Sequence, residues 1–105
     1  MAGMTDNREQ ITVVDDRENQ VFLARLPDGS SAGGAYYRRS GGVVTFTHTE
    51  VDPAYEGRGI GSQLAAGALG HVRDAGETFV PLCPFIKAYA ERHPEYADLR
   101  ASSGR

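Results

Sequence analysis

Cysteine, tryptophan and lysine are scarce in this sequence: it has one cysteine, no tryptophan and, as its only lysine, Lys87. A lone cysteine, Cys83, cannot form an internal disulfide or a cysteine zinc site, so no metal site is expected. No apolar run approaches the ~18–20 residues of a membrane span, and the first residues lack a basic and then apolar signal pattern. We therefore expect a cytoplasmic protein without a membrane partner.

An excess of positive charge is absent as well. The chain of 105 residues has 11 basic and 14 acidic side chains, which gives a net charge of −3. The deficit lies within residues 1–20, so no basic stripe provides the electrostatic attraction that dominates nucleic-acid affinity. We expect no nucleic-acid partner. A chain of this length forms one domain, and the edges of its small sheet are compatible with a monomer or a homodimer.

The first half of the chain carries β patterns separated by turns. Residues 1–10 are polar and without periodicity, which predicts a disordered N-terminus. Turn-forming residues at 27–30 and 40–42 indicate tight connections between strands. One folded domain is expected over residues 11–98, with a flexible tail over residues 99–105. Strands are predicted over residues 11–14, 20–26, 35–39 and 43–51.

The longest β pattern, residues 43–51, alternates in the way that a strand requires. Strict alternation assigns its side chains to two opposite faces. One face receives Val44, Phe46, His48 and Glu50, and the other receives Val43, Thr45, Thr47, Thr49 and Val51.

The periodicity becomes helical after residue 58. Apolar residues recur four apart, which predicts an amphipathic helix that ends near residues 74–76. Residues 78–83 favour a short buried strand, and Pro84 is well placed to begin a second helix that ends at residues 93–94. The order β-β-β-β-α-β-α predicts an α+β (α/β) fold, a mostly antiparallel sheet with one parallel crossover. The apolar positions of the first helix are Ile60, Leu64, Ala68 and Val72.

A glycine-rich loop, residues 56–62, joins the longest strand to the longest helix. Its three alternating glycines lack Cβ atoms at a helix N-terminus, where unpaired N–H groups and the helix dipole favour an anion. A P-loop needs a lysine that is absent here, and a Rossmann fingerprint fails because its last glycine position holds Ser62 or Leu64. The pattern predicts a pyrophosphate-binding loop, with a flexible turn as the alternative.

At residues 51–64 the sequence resembles the GNAT N-acetyltransferase superfamily. The phosphate loop of that family reads Arg/Gln-x-x-Gly-x-Gly/Ala after a strand and a Val-x-Pro turn; here Glu56 takes the leading position. The chain is also similar to small single-domain GNAT-like proteins, with which it shares residues 48–51, a cysteine within residues 81–85 and residues 93–96. The resemblance implies a minimal GNAT-like fold with a splay between strands 4 and 5.

The resemblance further implies transfer of an acetyl group from acetyl-CoA (coenzyme A) to an amine acceptor, a protein or a small molecule. Glu50 is the candidate general base, with His48 as a proton relay, and Tyr89 is the candidate acid for the leaving thiolate. Cys83 either carries the acyl group or lines the cofactor site. From residue types alone, a structural role is the alternative for each of them. The residues expected to bind the cofactor are Thr49, Val51, Gly57, Arg58, Gly59, Ile60, Gly61, Ser62, Cys83 and Phe85.

The shortness of the chain favours a second interpretation. Larger members of the family carry extra N-terminal helices and a C-terminal strand pair that shape the acceptor site, and this chain is too short for both. The alternative function is a CoA- or acyl-CoA-binding module with little or no transferase activity.

Overall fold

The structure, a computed structural model, describes residues 10–101. Within this range five strands form one sheet in the order β1-β2-β3-β4-β5, flanked by helices. The elements are β1 (Thr12–Asp16), β2 (Val21–Arg25), β3 (Ser31–Ser40), β4 (Val43–Val51), a 3-10 helix (Pro53–Tyr55), α1 (Ile60–Asp74), β5 (Thr78–Pro81), α2 (Pro84–Arg92) and a second 3-10 helix (Pro94–Leu99).

The pairing of the strands confirms the predicted architecture. Strands β1 to β4 pair antiparallel with their sequence neighbours, and β4 pairs parallel with β5 across the α1 connection. Strand β3 begins at Ser31, earlier than predicted, and includes Gly33 and Gly34. Glycine is a poor strand former, but both glycines pair with β2 on one side and β4 on the other. The neighbouring strands therefore override local propensity.

The C-terminal boundary also differs from the prediction. The sequence predicts a flexible tail from residue 99, but Arg100 forms a parallel bridge with Phe79, and the Ala101 N–H donates to the Phe79 carbonyl at 2.8 Å. The edge of β5 thus supplies backbone partners that hold residues 99–101. Apart from Gln10, the predicted disordered N-terminus lies outside the described residues, as do residues 102–105.

Both helices pack on the same face of the sheet. The apolar stripe of α1 is buried together with Phe22 and Phe46, and α2 adds Ile86 and Ala90 to the same cluster. Among the described elements no helix covers the opposite face, where Tyr36 is 38% exposed. The fold therefore has two layers, helices on one side and an open sheet face on the other.

A β-bulge interrupts the pairing of β3 with β4. Tyr36 pairs with His48, but its neighbour Tyr37 pairs with Phe46. Thr47 is therefore an extra residue between the two pairs. A bulge of this kind bends the strand and breaks the alternation of its side chains.

The predicted division of the faces of β4 is wrong because of this bulge. Val44 and Phe46 point to the helices and are fully buried. Beyond the bulge the order reverses, so that His48 and Glu50 lie on the open face with side-chain exposures of 59% and 62%. Thr49 turns inward instead. The carboxylate that the sequence placed beside Phe46 thus lies on the other side of the sheet.

A cluster of polar side chains fastens β1, β3 and the start of β5 to one another. The Arg39 guanidinium lies 3.2 Å from an Asp15 oxygen and 3.0 Å from a Glu77 oxygen. It also donates to the Tyr37 hydroxyl at 2.9 Å, and that hydroxyl donates to Asp15. The three charged side chains are only 13–16% exposed, so their pairing matters more than that of a surface salt bridge.

Alkaline pH is expected to weaken the fold through this cluster. Burial, and then the hydrogen bond to Asp15, raise the pKa of Tyr37 from 10.0 to about 12. A folded-state pKa above the unfolded value stabilises the protein below pH 10, and this contribution disappears as pH rises to about 12. We expect the free energy of unfolding in urea to fall by about 3 kcal/mol over that interval. Tyr37→Phe should flatten this fall, whereas Tyr36→Phe on the open face should leave it unchanged; an unchanged slope in Tyr37→Phe would contradict the assignment.

Candidate functional site

The loop after β4 is shaped by a capped turn and by two glycines. The Asp52 carboxylate accepts a hydrogen bond from the Ala54 N–H at 3.0 Å and so caps the 3-10 helix. Gly57 and Gly59 then have φ angles of +82° and +77°. Most other residues adopt this left-handed region only with strain, so glycine is the residue that best suits the path of the loop.

The N-terminus of α1 follows directly. Gly59 is its N-cap, and the Gln63 N–H donates to the Gly59 carbonyl at 3.2 Å as the first helical hydrogen bond. The N–H groups of residues 60–62 precede that bond, at the positive end of the helix dipole. Arg58 lies between Gly57 and Gly59, and its guanidinium is 5.6 Å from the centre of the Tyr55 ring. The arrangement fits the predicted anion site.

The third glycine of the loop serves a different purpose. A Cβ atom on Gly61 would lie 2.8 Å from Cζ of Phe85. The absence of a side chain therefore lets α2 pack closely against the first turn of α1. Gly61 and Phe85, both predicted to bind the cofactor, are brought together by this contact, and their contacts with a cofactor stay a prediction.

Strands β4 and β5 separate where the splay was expected. Their paired register ends at Phe46 and Pro81, and the N–H groups of Leu82 and Cys83 both donate to the Phe46 carbonyl at 3.0 Å. Residues 48–51 of β4 remain paired with β3 but no longer pair with β5. Thr49 Oγ1 lies 3.0 Å from Cys83 Sγ across the resulting gap, and Cys83 is 3% exposed. The side chains of Thr49 and Cys83, both predicted to bind the cofactor, thus meet on the helical side of the sheet.

Glu50 lies on the other side of the same strand. Its carboxylate is 2.8 Å from His48 Nε2, and the His48 ring stacks on Tyr36 with 6.0 Å between ring centres. Glu50 and its predicted relay are therefore in contact with each other. Strand β4 separates them from Cys83, so the candidate base and the thiol approach the gap from opposite sides.

Tyr89, the candidate acid, lies on α2 at the helical side of the sheet, and its role stays a prediction. Helix rise places it about 9 Å along the axis from Cys83, the N-cap of α2. Tyr89 stacks on His93 with 4.0 Å between ring centres, and burial, followed by the charges of Tyr96 and Glu95, raises its pKa. The hydroxyl thus keeps its proton at neutral pH. The cavity beside it has a volume of about 340 Å³ and is lined by Ser62, Gln63, Ala66, Tyr89 and His93.

Sequence reasoning missed a larger cavity on the open face. We call it the open-face groove; its volume is about 700 Å³. It could not be found from alternation because the bulge alone brings Glu50 to this side. Two adjacent glycines inside a strand, Gly33 and Gly34, were the available signal, since such glycines mark places where another group approaches the backbone. The groove is lined by Leu23, Ser31, Ala32, Gly33, Gly34, Tyr36, Thr49, Glu50, Val51, Asp52 and Pro53.

Residues 10–101 contain neither a metal-binding cluster nor a helix that could cross a membrane. No group of three or more His, Cys, Asp or Glu side chains in that range is arranged to hold a metal ion. In the same part of the chain, no helix has both the length and the apolar character needed to cross a membrane.

The glycine loop and the separated strands β4 and β5 are features of one family of proteins. Residues 21–99 match the family model described as GCN5-related N-acetyl-transferase. The chain belongs to this family, whose members are N-acetyltransferases, as the glycine loop and the separated strands indicated.

Individual relatives agree with this assignment. Protein NATD1 of Gallus gallus is 32% identical over 93 residues, which cover 88% of this chain and 84% of the relative. Protein NATD1 of Homo sapiens is 34% identical over 85 residues, covering 80% of this chain and 75% of the relative. An NMR solution structure of a Staphylococcus aureus protein described as GCN5-like has the same fold, with a TM-score of 0.63 at 19% identity, over 93% of this chain and 91% of that one.

Proposed function

We propose that the protein transfers an acetyl group from acetyl-CoA to a primary amine, with Glu50 as the general base. The observation that carries this proposal is the gap between β4 and β5. Thr49 and Cys83 face it from the helical side, and Glu50 lies on the other side of the same strand. Acetyl-CoA and the acceptor amine can therefore approach residues 49–50 of β4 from opposite sides without overlapping.

The residues of the helical side fit acetyl-CoA. The first-turn N–H groups of α1, opened by Gly59, suit a pyrophosphate, and Arg58 adds a permanent positive charge. Backbone groups of residues 49–51 have left the β5 ladder and are available to the amides of the pantetheine arm. Bound there, acetyl-CoA supplies the acetyl group as an activated thioester.

Glu50 acts as the general base that removes a proton from the acceptor amine. An alkylammonium must lose one proton before its nitrogen can attack, and a carboxylate at hydrogen-bonding distance can take it. The nitrogen forms a bond to the acetyl carbon, the bond from that carbon to sulfur breaks, and the second proton leaves the nitrogen as the amide forms. That proton ends on the released thiol, so the net products are the N-acetyl amine, CoA and one free proton. His48 holds the Glu50 carboxylate in place.

Cys83 lines the thioester side of the gap and does not carry the acetyl group. Its sulfur is buried against Thr49, a hydroxyl that cannot act as a base at neutral pH. The alternative route would form a thioester on Cys83, pass its proton to CoA, and then break the new carbon–sulfur bond during attack by the amine.

The two routes predict opposite results for two variants. Direct transfer predicts that Glu50→Gln loses about a hundredfold in kcat, while Cys83→Ala retains acetylation of a primary amine within a few-fold. Release of the CoA thiol and the mass of the acetylated amine measure the activity. Intact protein mass after incubation with acetyl-CoA alone provides the control. An acetyl adduct that disappears in Cys83→Ala, together with lost activity, would establish the carrier route instead.

The open sheet face favours one other candidate function. Because no described helix covers the acceptor side, a module that only binds CoA or an acyl-CoA is the alternative. Binding of acetyl-CoA by calorimetry without acetylation of any amine in a broad panel would select this function over transfer.

A further inference from the structure

We infer that the open-face groove binds the acceptor and selects primary amines that carry a second positive charge. This inference rests on the proposed acetyl transfer. It goes beyond that function because it assigns the acceptor to a named cavity and names its chemical class.

The groove has the shape of a binding site for a narrow chain. Gly34 lies in its lining and contributes no side chain; the methyl Cγ2 of Val21 packs over this position, 2.7 Å from where a Cβ atom would stand. Leu23 of β2 borders one side and Glu50 of β4 the other, because both strands flank Gly34 in the pairing. Tyr36 adds an aromatic surface two residues along β3. The volume of about 700 Å³ lies within the range of small-ligand sites.

The charge of the groove has one sign. Glu50 and Asp52 are its ionisable lining residues, and its lining includes no lysine or arginine. The Asp52 carboxylate is fixed at the groove by its hydrogen bond from the Ala54 N–H. The groove lining also includes the aromatic ring of Tyr36, which stacks on His48 and whose face favours a cation. A neutral or anionic acceptor would leave Asp52 without a cationic partner and Glu50 with its contact to His48 alone.

The spacing of the two carboxylates indicates a dication. Residues two apart on extended backbone are separated by about 6.6 Å, which matches the span between the nitrogens of a short diamine. Glu50 then holds the amine that reacts, and Asp52 holds the second charge. Thr49 and Val51 line the groove as well, so the reactive amine lies against the strand that borders the thioester gap. A free diamine and a lysine side chain with a basic neighbour both offer this chemistry.

Acetylation kinetics test the inference. Cadaverine should be acetylated with a kcat/KM about fivefold above aminopentanol, a chain of similar length without the second charge. Asp52→Asn keeps a side-chain oxygen for the cap and should abolish this preference. Glu18→Gln, an exposed position outside the groove lining, makes the same change in net charge and should retain it. Two lysine peptides are then compared, one with a neighbouring arginine and one with a neighbouring glutamate. This comparison tests whether a protein, instead of a free diamine, can supply the second positive charge.

Binding without turnover provides a separate measurement. Cadaverine added to the full-length protein without acetyl-CoA should shift the backbone amide signals of Gly33, Gly34 and Glu50, and Asp52→Asn should weaken those shifts. Equal kcat/KM for cadaverine and aminopentanol, in a protein that binds acetyl-CoA and acetylates both, would overturn the inference and leave the proposed function intact. Shifts at Gly57 and Gly59 instead, or none at millimolar cadaverine, would overturn it as well. Failure to bind acetyl-CoA would refute the proposed function itself.

Discussion

Gly59→Asp is expected to lower the affinity for acetyl-CoA about a thousandfold while the protein remains folded. Aspartate tolerates the left-handed region better than most residues and is a favourable helix N-cap, so the loop and α1 should persist. The new carboxylate would accept hydrogen bonds from the same N–H groups that the pyrophosphate needs, and it would repel that anion. Loss of two charge-assisted hydrogen bonds, at about 1.5–3 kcal/mol each, accounts for a change of this size.

Gly29→Asp is the matched control for this experiment. Gly29 also has a positive φ, +93°, with no atom within 4 Å of an added Cβ, and it lies in the turn between β2 and β3. Calorimetric titration with acetyl-CoA should give wild-type affinity for this variant. Wild-type affinity in Gly59→Asp would show that the loop is a turn and nothing more, whichever way the control behaves.

Arg39→Met is expected to lower the free energy of unfolding by about 3 kcal/mol. The substitution keeps much of the side-chain volume but removes the cation that pairs with Asp15 and Glu77. Glu77 is then left without a cation, Asp15 keeps only the exposed Arg17 at 3.3 Å, and the Tyr37 hydroxyl loses the hydrogen bond from the guanidinium. Removing one partner of a buried pair is far more damaging than removing an exposed charge.

Urea denaturation of two further variants makes this prediction specific. Arg38→Met removes the neighbouring, exposed arginine and should change the free energy of unfolding by less than about 0.5 kcal/mol. Arg39→Met combined with Glu77→Gln should recover part of the loss because one uncompensated carboxylate is gone. Equal losses for Arg38→Met and Arg39→Met would mean that the cluster contributes nothing beyond a surface charge.

The predictable part of the fold is the part that local pattern determines. The bounds predicted for β4, residues 43–51, are those of the structure, and the four-residue spacing of Ile60 and Leu64 located the buried stripe of α1. Pro84 begins α2 as expected, because its fixed φ and missing N–H suit a first helical turn. Each of these patterns lies within a single helix or strand, so the prediction made from it does not depend on tertiary contacts.

What sequence reasoning could not provide depends on contacts between distant residues. The bulge at Thr47 arises from how β4 pairs with β3, and nothing within residues 43–51 alone reveals it. The pairing of Arg100 with Phe79 joins segments that composition treats separately. The approach of Arg39 to Glu77 likewise joins residues far apart in the chain.

The candidate site likewise has parts that local sequence predicts and parts that depend on contacts between distant residues. The glycine loop was predictable because a helix N-terminus and its preceding glycines are adjacent in sequence. The splay of β4 from β5 was implied by the family resemblance, and in the structure Thr49 and Cys83 meet across it. The groove and the outward position of Glu50 required the three-dimensional register of β4.

The bulge in β4 decides which side of the sheet each of residues 48–51 faces, without any change of composition. Deleting Thr47 would remove only the extra residue: His48 would follow Phe46 in strict alternation, and Thr49 and Glu50 would keep their present faces. Drawing Thr47 into the regular ladder, with every residue kept, would instead turn Glu50 toward the helices and Thr49 toward solvent. The amino-acid composition would be the same, yet the hydroxyl and carboxylate surfaces would be transposed. The pairing of this segment with β3, and not its residue types, therefore separates the inside of the molecule from its outside.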